Sequence, residues 1–175
     1  MGQGAVIWLT GISGAGKSTL ARALHSTLSE QGVRCEYIDG EDVREFFGHD
    51  LEFSRGARLV NLKRIVYAAE LLARHGVVTI VAAIAPHYEG RDFIRGRIKN
   101  YIQVYVNVPL EVARQRDTKG HYKNCELGRE KNFVGVDDVY EVPRRPDVVV
   151  HSDRETPGDS LAKILAHLRE RGLIN

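Results

Sequence analysis

Near its N-terminus the chain reads Gly11-Ile12-Ser13-Gly14-Ala15-Gly16-Lys17-Ser18, which fits G-x-x-x-x-G-K-[ST] at every fixed position. Residues 6–10 form an apolar run typical of a buried strand, and residues 17–31 have the pattern of a helix. In that context the glycines let the backbone curl so that its N–H groups point toward a phosphate. The spacing therefore predicts a nucleoside triphosphate site formed by Gly11, Ser13, Gly14, Ala15, Gly16, Lys17, Ser18 and Thr19.

Outward from this loop, short β-branched runs alternate with longer amphipathic stretches. This alternation is typical of an α/β domain with a parallel sheet covered by helices on both faces. We expect a three-layer P-loop nucleoside triphosphate hydrolase/kinase fold with a five-stranded parallel sheet, in a single kinase domain over residues 1–175. Strands are predicted at 6–10, 34–38, 77–84, 101–108 and 147–151, helices at 17–31, 58–75, 89–99, from 109 and at 157–171, helical turns at 42–48 and a loop at 49–57.

The composition excludes several classes of protein. The 175 residues carry 25 Lys and Arg against 23 Asp and Glu, a balance that does not fit a general nucleic-acid binder. No apolar window approaches the length of a membrane span, and the N-terminus lacks the basic region of a signal peptide. Cys35 and Cys125 have no metal-ligand spacing and are expected to be free thiols. We therefore expect a cytoplasmic protein without a membrane or nucleic-acid partner.

A second cluster of polar residues, Asp39-Gly40-Glu41-Asp42-Val43-Arg44, follows the second predicted strand, at the edge of the sheet where the phosphate loop lies. Asp39 is a candidate to hold Mg²⁺ through water or to accept a proton from an acceptor hydroxyl. The alternative is that Asp39 or Asp42 only caps a helix. No acid follows the strand that ends at Ile84, and the N-K-x-D motif is missing. A small-molecule kinase is therefore favoured over a motor ATPase or a GTPase, with Mg²⁺ on Ser18, the phosphates and Asp39.

The phosphate loop, the 39–44 cluster and several later short motifs occur in the order seen in adenylylsulfate (APS) kinases. The chain resembles that family from about residue 5 to 150. The resemblance implies transfer of the ATP γ-phosphoryl group to the 3′-hydroxyl of adenosine 5′-phosphosulfate, with Mg²⁺, by an enzyme that is often a homodimer. The matching residues are the phosphate loop, 39–44, Phe53-Ser54, Arg58, Asn61, Ile84-Ala85-Pro86, Arg116-Asp117, Lys119-Gly120, 133–138 and Tyr140-Glu141.

The resemblance also implies a role for individual residues. Asp39 and Lys17 would be the catalytic residues, and Arg114 and Arg116 would contact the ATP base and phosphates. Arg44, Arg58 and Asn61 would hold the phosphosulfate end of the acceptor, and Phe53 and Phe133 would enclose its base. Lys119 would reach the acceptor from the segment 117–146, which is mobile in the family. The implied acceptor-binding set is Glu41, Arg44, Phe53, Arg58, Asn61, Ile84, Ala85, Pro86, Lys119 and Phe133.

Elementary chemistry agrees with this implied site. A dianionic acceptor suits Arg guanidinium groups, and a flat base suits aromatic rings. Phe53 and Phe133 lie in segments of poor periodicity, where the alternative is a ring that only pins a loop to the core. The charged segment 117–146 is predicted to be a lid that excludes water, although a solvated loop has the same composition.

Several positions depart from the family pattern, mostly on the acceptor side. We expect ordinary packing or surface roles for Cys125, His87 and His121. Two alternatives stay open: a kinase of the same architecture for a related nucleotide such as cytidine diphosphoramidate, and a nucleotide-binding module without catalysis. The departures are Glu41, Asp42, Glu52, Ala57, Ala85, His87, His121, Asn124-Cys125-Glu126 and Val139.

Overall fold

Five parallel strands form one sheet in a computed structural model of the chain, which describes residues 4–48 and 51–175. The strand order is β2-β3-β1-β4-β5, so the first strand lies at the centre. Ile7 of the central strand pairs in register with Ile80 on one side and Ile102 on the other. The predicted fold class and the five-stranded parallel sheet are confirmed. The strands are β1 (Ala5–Thr10), β2 (Cys35–Asp39), β3 (Val78–Ala82), β4 (Tyr101–Asn107) and β5 (Val148–His151).

Seven helices occur in the described residues, and those that cover the sheet lie on its two faces. Alternation along β1 explains the two layers, because successive side chains of a strand point to opposite faces. Ile7 and Leu9 pack in the same core cluster as α1 and α7, whereas Val6 and Trp8 pack with α3 and α4. The helices are α1 (Lys17–Glu30), α2 (Gly40–Phe47), α3 (Arg55–Arg74), α4 (Tyr88–Arg97), α5 (Leu110–Arg116), α6 (His121–Glu126) and α7 (Pro157–Glu170).

The boundaries differ from the sequence prediction mainly around α3. This helix begins at Arg55 rather than at 58, so the predicted loop is too long; its positions 49 and 50 lie outside the described residues. The Ser54 hydroxyl accepts a hydrogen bond from the Ala57 amide at 3.3 Å and caps the helix. Strand β3 ends at Ala82 rather than at 84, because the chain turns away from the sheet after it.

The segment 117–146 contains little regular structure beyond α6, as its weak periodicity predicted. It nevertheless packs against the phosphate loop, since the buried Tyr122 donates its hydroxyl hydrogen to the Ser13 carbonyl at 2.8 Å. Strands β1, β2 and β3 all end beside this segment. The fold therefore brings the phosphate loop, the start of α2 and the segment 117–146 to one edge of the sheet. None of the described helices is long and apolar enough to cross a membrane.

Candidate active site

A cavity of about 930 Å³ lies at this edge of the sheet. All but two of the predicted site residues line it. The two exceptions are Gly11 and Arg114. Gly11 is buried next to β4, where an added Cβ would lie 2.4 Å from the Val106 carbonyl oxygen, and Arg114 is exposed on α5. The structure thus brings together Ser13, Gly14, Ala15, Gly16, Lys17, Ser18, Thr19, Asp39, Glu41, Arg44, Phe53, Arg58, Asn61, Ile84, Ala85, Pro86, Arg116, Lys119 and Phe133.

The phosphate loop is held in shape before any nucleotide arrives. Gly16 has φ 93°, a left-handed conformation that glycine adopts without strain, and α1 starts directly after it. Lys17 donates to the Ile12 carbonyl at 2.9 Å, and Arg116 donates to the Gly14 carbonyl at 3.2 Å. Arg116 also donates to the Ser152 carbonyl at 2.7 Å, so it joins the loop to the end of β5.

Lys17 is partly buried, and its removal from water lowers the pKa of its ammonium group to about 8, against the opposing effect of Glu41. A buried cation without a full counter-charge is costly, and the phosphates of a bound nucleotide would offset that cost. The electrostatics of the loop therefore favour an anionic ligand at Lys17.

Asp39 ends β2 and accepts three hydrogen bonds. Its Oδ2 atom accepts from the Ser18 hydroxyl at 2.9 Å and from the Tyr37 hydroxyl at 2.6 Å, and its Oδ1 atom accepts from the Glu41 amide at 3.0 Å. The last bond caps α2, which confirms the capping interpretation of Asp39, and the same residue lines the cavity. Burial opposes ionisation, yet the three hydrogen bonds outweigh it and hold the pKa of Asp39 below its ordinary value.

The chemistry of the donors at this point fits a magnesium ion. Ser18 and Asp39 supply a hydroxyl and a carboxylate oxygen side by side, which are hard ligands. Among the described residues no group of three or more His, Cys, Asp or Glu side chains forms a metal cage. Mg²⁺ does not need one, because it usually keeps several waters and binds through one or two carboxylates plus substrate phosphates.

Glu41 and Lys119 form an ion pair that links α2 to the segment 117–146. Both side chains are substantially exposed, at 60% and 45%, so the pair contributes little to stability. The predicted acceptor lysine thus has an internal partner in this conformation. An anionic acceptor would compete with Glu41 for the Lys119 ammonium group.

On the far side of the cavity, one phenyl ring lies against two guanidinium groups. The Arg44 guanidinium carbon is 4.8 Å from the Phe53 ring centroid, and that of Arg58 is 5.6 Å away. Arg58 also donates to the Asn132 carbonyl at 2.6 Å, which ties α3 to the segment 117–146. Two cations and an aromatic surface therefore converge at one end of the cavity.

Asn61 of α3 is buried and faces the same cavity. Its amide nitrogen donates to the Gly40 carbonyl at 3.2 Å, while its Oδ1 atom has no hydrogen-bond partner among the described residues. A buried polar atom without a partner is costly, and a bound ligand is one way to satisfy it. Asn61 therefore offers a polar contact point for a ligand in this cavity.

Phe133 also lines the cavity and is 9% exposed. Tyr122 packs edge-on against it at a ring separation of 5.1 Å, and His121 lies over it at 5.4 Å with an interplanar angle of 29°. Phe133 belongs to the hydrophobic core and also lines the cavity. Both interpretations of this ring, core packing and ligand contact, are compatible with its position.

The two extra acids of the acceptor-side sequence lie away from the cavity. Glu52 and Glu126 are exposed, and neither side chain lines it. Five other departures do line it: Glu41, Asp42, Ala85, His87 and His121. The charge conflict that Glu52 and Glu126 would create with a dianionic acceptor is therefore absent from this arrangement.

Two polar residues of this region, Arg91 and Tyr37, are not among the predicted site residues. Arg91 is buried in α4 and donates to the Ala85 carbonyl at 2.8 Å and the Pro86 carbonyl at 3.2 Å. It holds the loop after β3, where Ala85 has the left-handed φ of 42°. Tyr37 lies beside Asp39, and the alternation of β2 predicts that shared face. No local signal distinguishes Arg91 from a surface arginine of a basic helix.

Both the sequence and the fold of this chain match those of known proteins. A family model described as adenylylsulphate kinase matches residues 3–151. The chain belongs to the adenylylsulphate kinase family. It is 44% identical to an adenylyl-sulfate kinase of Microcystis aeruginosa, over 99% of this chain and 96% of that protein.

Solved structures of this family agree with the sequence match. The APS kinase of Mycobacterium tuberculosis in complex with AMPPNP and APS superposes with a TM-score of 0.90 at 32% identity, covering 97% of this chain and 99% of that one. The hexameric APS kinase from Thiobacillus denitrificans gives 0.76 at 29% identity, covering 99% of this chain and 30% of that one. The chain is thus a P-loop kinase, and the expectation from the ordered sequence features is confirmed.

Proposed function

We propose that the protein transfers the γ-phosphoryl group of ATP to the 3′-hydroxyl of adenosine 5′-phosphosulfate, giving 3′-phosphoadenosine 5′-phosphosulfate. The observation that carries the proposal is the single cavity that joins the phosphate loop to the Arg44, Phe53 and Arg58 cluster. One end of that cavity suits a triphosphate. The other suits an acceptor with a flat base and a doubly charged tail.

On the donor side, the loop amides and Lys17 would hold the β- and γ-phosphates. Their hydrogen bonds are directed at the place where charge moves during transfer, which is the main way proteins accelerate phosphoryl transfer. Arg116 fixes the loop through the Gly14 carbonyl and lines the cavity. Arg114 is a predicted contact for the ATP base and would have to reach in from the exposed face of α5.

On the acceptor side, the Arg44 and Arg58 guanidinium groups would bind the phosphosulfate. Neither group has a carboxylate partner closer than 3.8 Å among the described ion pairs, so each can turn to a ligand anion. The Asn61 Oδ1 atom would gain the partner it lacks. Phe53 and the aromatic residues around Phe133 would hold the base from two sides.

Asp39 would orient the acceptor hydroxyl and take its proton. Its lowered pKa keeps it ionised at neutral pH, as an acceptor of that proton must be. A carboxylate with a lowered pKa is a weak base, so orientation is its larger contribution. In a loose phosphoryl-transfer transition state the nucleophile loses its proton late, which suits a weak base.

Ser18 and Asp39 would hold Mg²⁺ together with the phosphates of ATP. When bound, the ion neutralises charge on the β- and γ-phosphate oxygens. The Tyr37 hydroxyl, whose pKa is raised to about 12 by burial and by its bond to Asp39, keeps its proton and so fixes the carboxylate.

The segment 117–146 would act as the lid of this site. It contacts both substrate regions, through Tyr122 at the phosphate loop and through the Asn132 carbonyl at Arg58. Closing it over the substrates would exclude water, which otherwise competes with the acceptor for the phosphoryl group. The whole chain would then work as one kinase domain.

A coupled ADP-release assay tests the proposed function. With ATP and Mg²⁺ present, APS is expected to start ADP release, and cytidine diphosphoramidate is not. Turnover with the cytidine compound alone would mean that the fold was kept and the acceptor changed. ADP release without dependence on either acceptor would contradict the kinase assignment.

We also propose that the protein self-associates. Exposed apolar side chains lie on α2 and along one stripe of α3, and a family relative is described as hexameric. The apolar side chains are Phe46, Phe47, Val60, Tyr67 and Leu71. Light scattering after gel filtration should give a multiple of the 19.6 kDa chain mass, and Tyr67→Glu should reduce it. A single-chain mass at tens of micromolar would contradict this proposal.

The proposed compartment is the cytoplasm. Cys35 and Cys125 are both free thiols, as expected where thiols stay reduced. ATP, the proposed donor, is also a cytoplasmic metabolite. Fractionation of cells that express the full chain should place the activity with the cytoplasmic contents.

A further inference from the structure

His121 is the more exposed member of a ring stack on the lid-side wall of the cavity. Its imidazole lies over Phe133 at 5.4 Å and 29°, an offset parallel arrangement. The His121 side chain is 31% exposed, whereas Phe133 is 9% exposed and has Tyr122 packed against it. Both rings line the cavity. A flat ligand that approaches this wall therefore meets the imidazole as well as the phenyl ring.

The plane of the imidazole is fixed by a carboxylate. The His121 Nδ1 atom lies 2.9 and 3.1 Å from the two oxygens of Glu130. Asn124 donates to the same carboxylate at 2.9 Å, so Glu130 is itself held within the lid. A carboxylate accepts hydrogen bonds, so Nδ1 carries a proton. The ring is thereby pre-oriented and loses little freedom when a ligand stacks on it.

Phe53 offers a second aromatic surface in the same cavity. Phe53 is 48% exposed and is held by Arg44 and Arg58. Phe53 and His121 both line the cavity and come from separate segments, before α3 and at the start of α6. An acceptor base between them would have an aromatic surface on each face.

We propose that His121, backed by Phe133 and oriented by Glu130, is the lid-side stacking surface for the purine base of the acceptor. The inference rests on the proposed function, since it assigns a residue to the acceptor of that reaction. Phe133 then acts mainly through His121, as the ring that supports it. His121 is one of the positions at which this chain departs from the family pattern.

Three variants of the full-length protein test the assignment by steady-state kinetics. Removing the flat ring in His121→Leu should raise KM for APS about tenfold, from the usual worth of one base–aromatic stack, and leave KM for ATP and kcat within twofold. His121→Phe keeps a flat ring and should restore KM for APS to within threefold of the unsubstituted protein. His75→Leu, an exposed histidine at the far end of α3, is the matched control and should change nothing.

Nuclear magnetic resonance of the unsubstituted protein gives a readout that does not depend on the variants folding. The carbon-bound protons of His121 should shift upfield when APS is added, because of the ring current of the purine, and those of His75 should not. Equal changes in both KM values, failure of His121→Phe to restore, or shifts on Phe133 but not on His121 would each overturn the proposal. No turnover of APS by the unsubstituted protein would instead overturn the proposed function, and this inference with it.

Discussion

The phosphate loop and the acceptor side of the cavity are built in different ways. The loop is eight consecutive residues that run from the end of β1 into the first turn of α1. A local bond from Lys17 to the Ile12 carbonyl holds it, and Arg116 and Tyr122 add bonds from α5 and α6. The acceptor side is assembled from α2, the start of α3, the loop after β3 and the segment 117–146. Arg58 reaches the Asn132 carbonyl, 74 positions along the chain.

This difference separates the tasks of the two regions. A site made mostly from one short loop forms when its strand and helix pack, whereas a site made from distant segments depends on their relative positions. We therefore expect the acceptor side to depend more than the donor side on the proposed lid, the segment 117–146. Substitutions on one side should therefore change one substrate constant and leave the other nearly unchanged.

The largest effect is expected at the place where the two regions meet. Asp39→Ala removes the carboxylate that accepts a hydrogen bond from Ser18 and that is proposed to orient the acceptor hydroxyl, so kcat should fall about 10³-fold. Binding of a non-hydrolysable ATP analogue, measured by calorimetry, should change only a few-fold. Asp92→Ala, an exposed acid on α4, serves as the control. Near-normal turnover in the Asp39 variant would refute its role.

A smaller effect is expected from the cations of the acceptor side. Arg58→Met removes a guanidinium group that would bind the acceptor anion, and KM for APS should rise about 10- to 100-fold, from the typical strength of a hydrogen bond to a charged group. KM for ATP should stay within twofold. Arg74→Met changes an exposed arginine at the end of the same helix and should have no effect. An equal rise in KM for APS and KM for ATP would contradict the assignment of the two substrates to separate regions of the cavity.

KM for APS should rise about tenfold when one aromatic ring of the proposed base site is removed. Phe53→Ala is expected to raise KM for APS by that factor, because a stacked base is worth about 1–3 kcal/mol. Phe53 is half-exposed, so folding should tolerate the change. Phe46→Ala, whose ring is 80% exposed and outside the cavity, is the matched control. A rise in KM for ATP alone would show that Phe53 contacts ATP and not the acceptor.

Loss of the hydrogen bond from Tyr37 to Asp39 should lower kcat less than loss of the Asp39 carboxylate does. Tyr37→Phe leaves two of the three hydrogen bonds to the carboxylate, so we expect kcat to fall by about 3- to 10-fold with both KM values unchanged. Tyr105→Phe removes a hydroxyl that donates to Asn107 instead, and it should not affect kcat. An unchanged kcat in Tyr37→Phe would show that Ser18 and the Glu41 amide orient Asp39 alone.

A change outside both regions should alter stability but not kinetics. Thr156 and Asp159 form a capping box at the start of α7. Thr156→Ala should lower the free energy of unfolding by about 1 kcal/mol, seen as a Tm lower by about 2–4 °C. Any change in KM for APS in this variant would mean that α7 is coupled to the acceptor side.

The same contrast explains what the sequence could predict. Lys17 and Ser18 follow from spacing within one loop, and β3 follows from a continuous apolar run. Tyr37 was accessible in principle, because it alternates with Asp39 along one strand. Arg91 was not, since its burial depends on the loop after β3 and on the Glu141 carbonyl, which it reaches 50 positions away.

The acceptor residues were named through the family resemblance rather than through local pattern. Arg44, Arg58 and Asn61 are separated along the chain, and only folding shows that they share a cavity. The start of α3 was misplaced because Ser54 was not recognised as a cap. The outward positions of Glu52 and Glu126 likewise required the fold, because charge alone does not show which way a side chain points.

The central claim is that one cavity carries a phosphoryl group from ATP on the phosphate loop to a 3′-hydroxyl on the acceptor side. The most direct measurement is to incubate the protein with Mg²⁺, APS and ATP labelled at the γ-phosphate, then treat the product with a 3′-nucleotidase. The account predicts labelled nucleotide that forms only with APS and that releases all its label on this treatment. Label found as inorganic phosphate whether or not APS is present, or label that resists the nucleotidase, would contradict it.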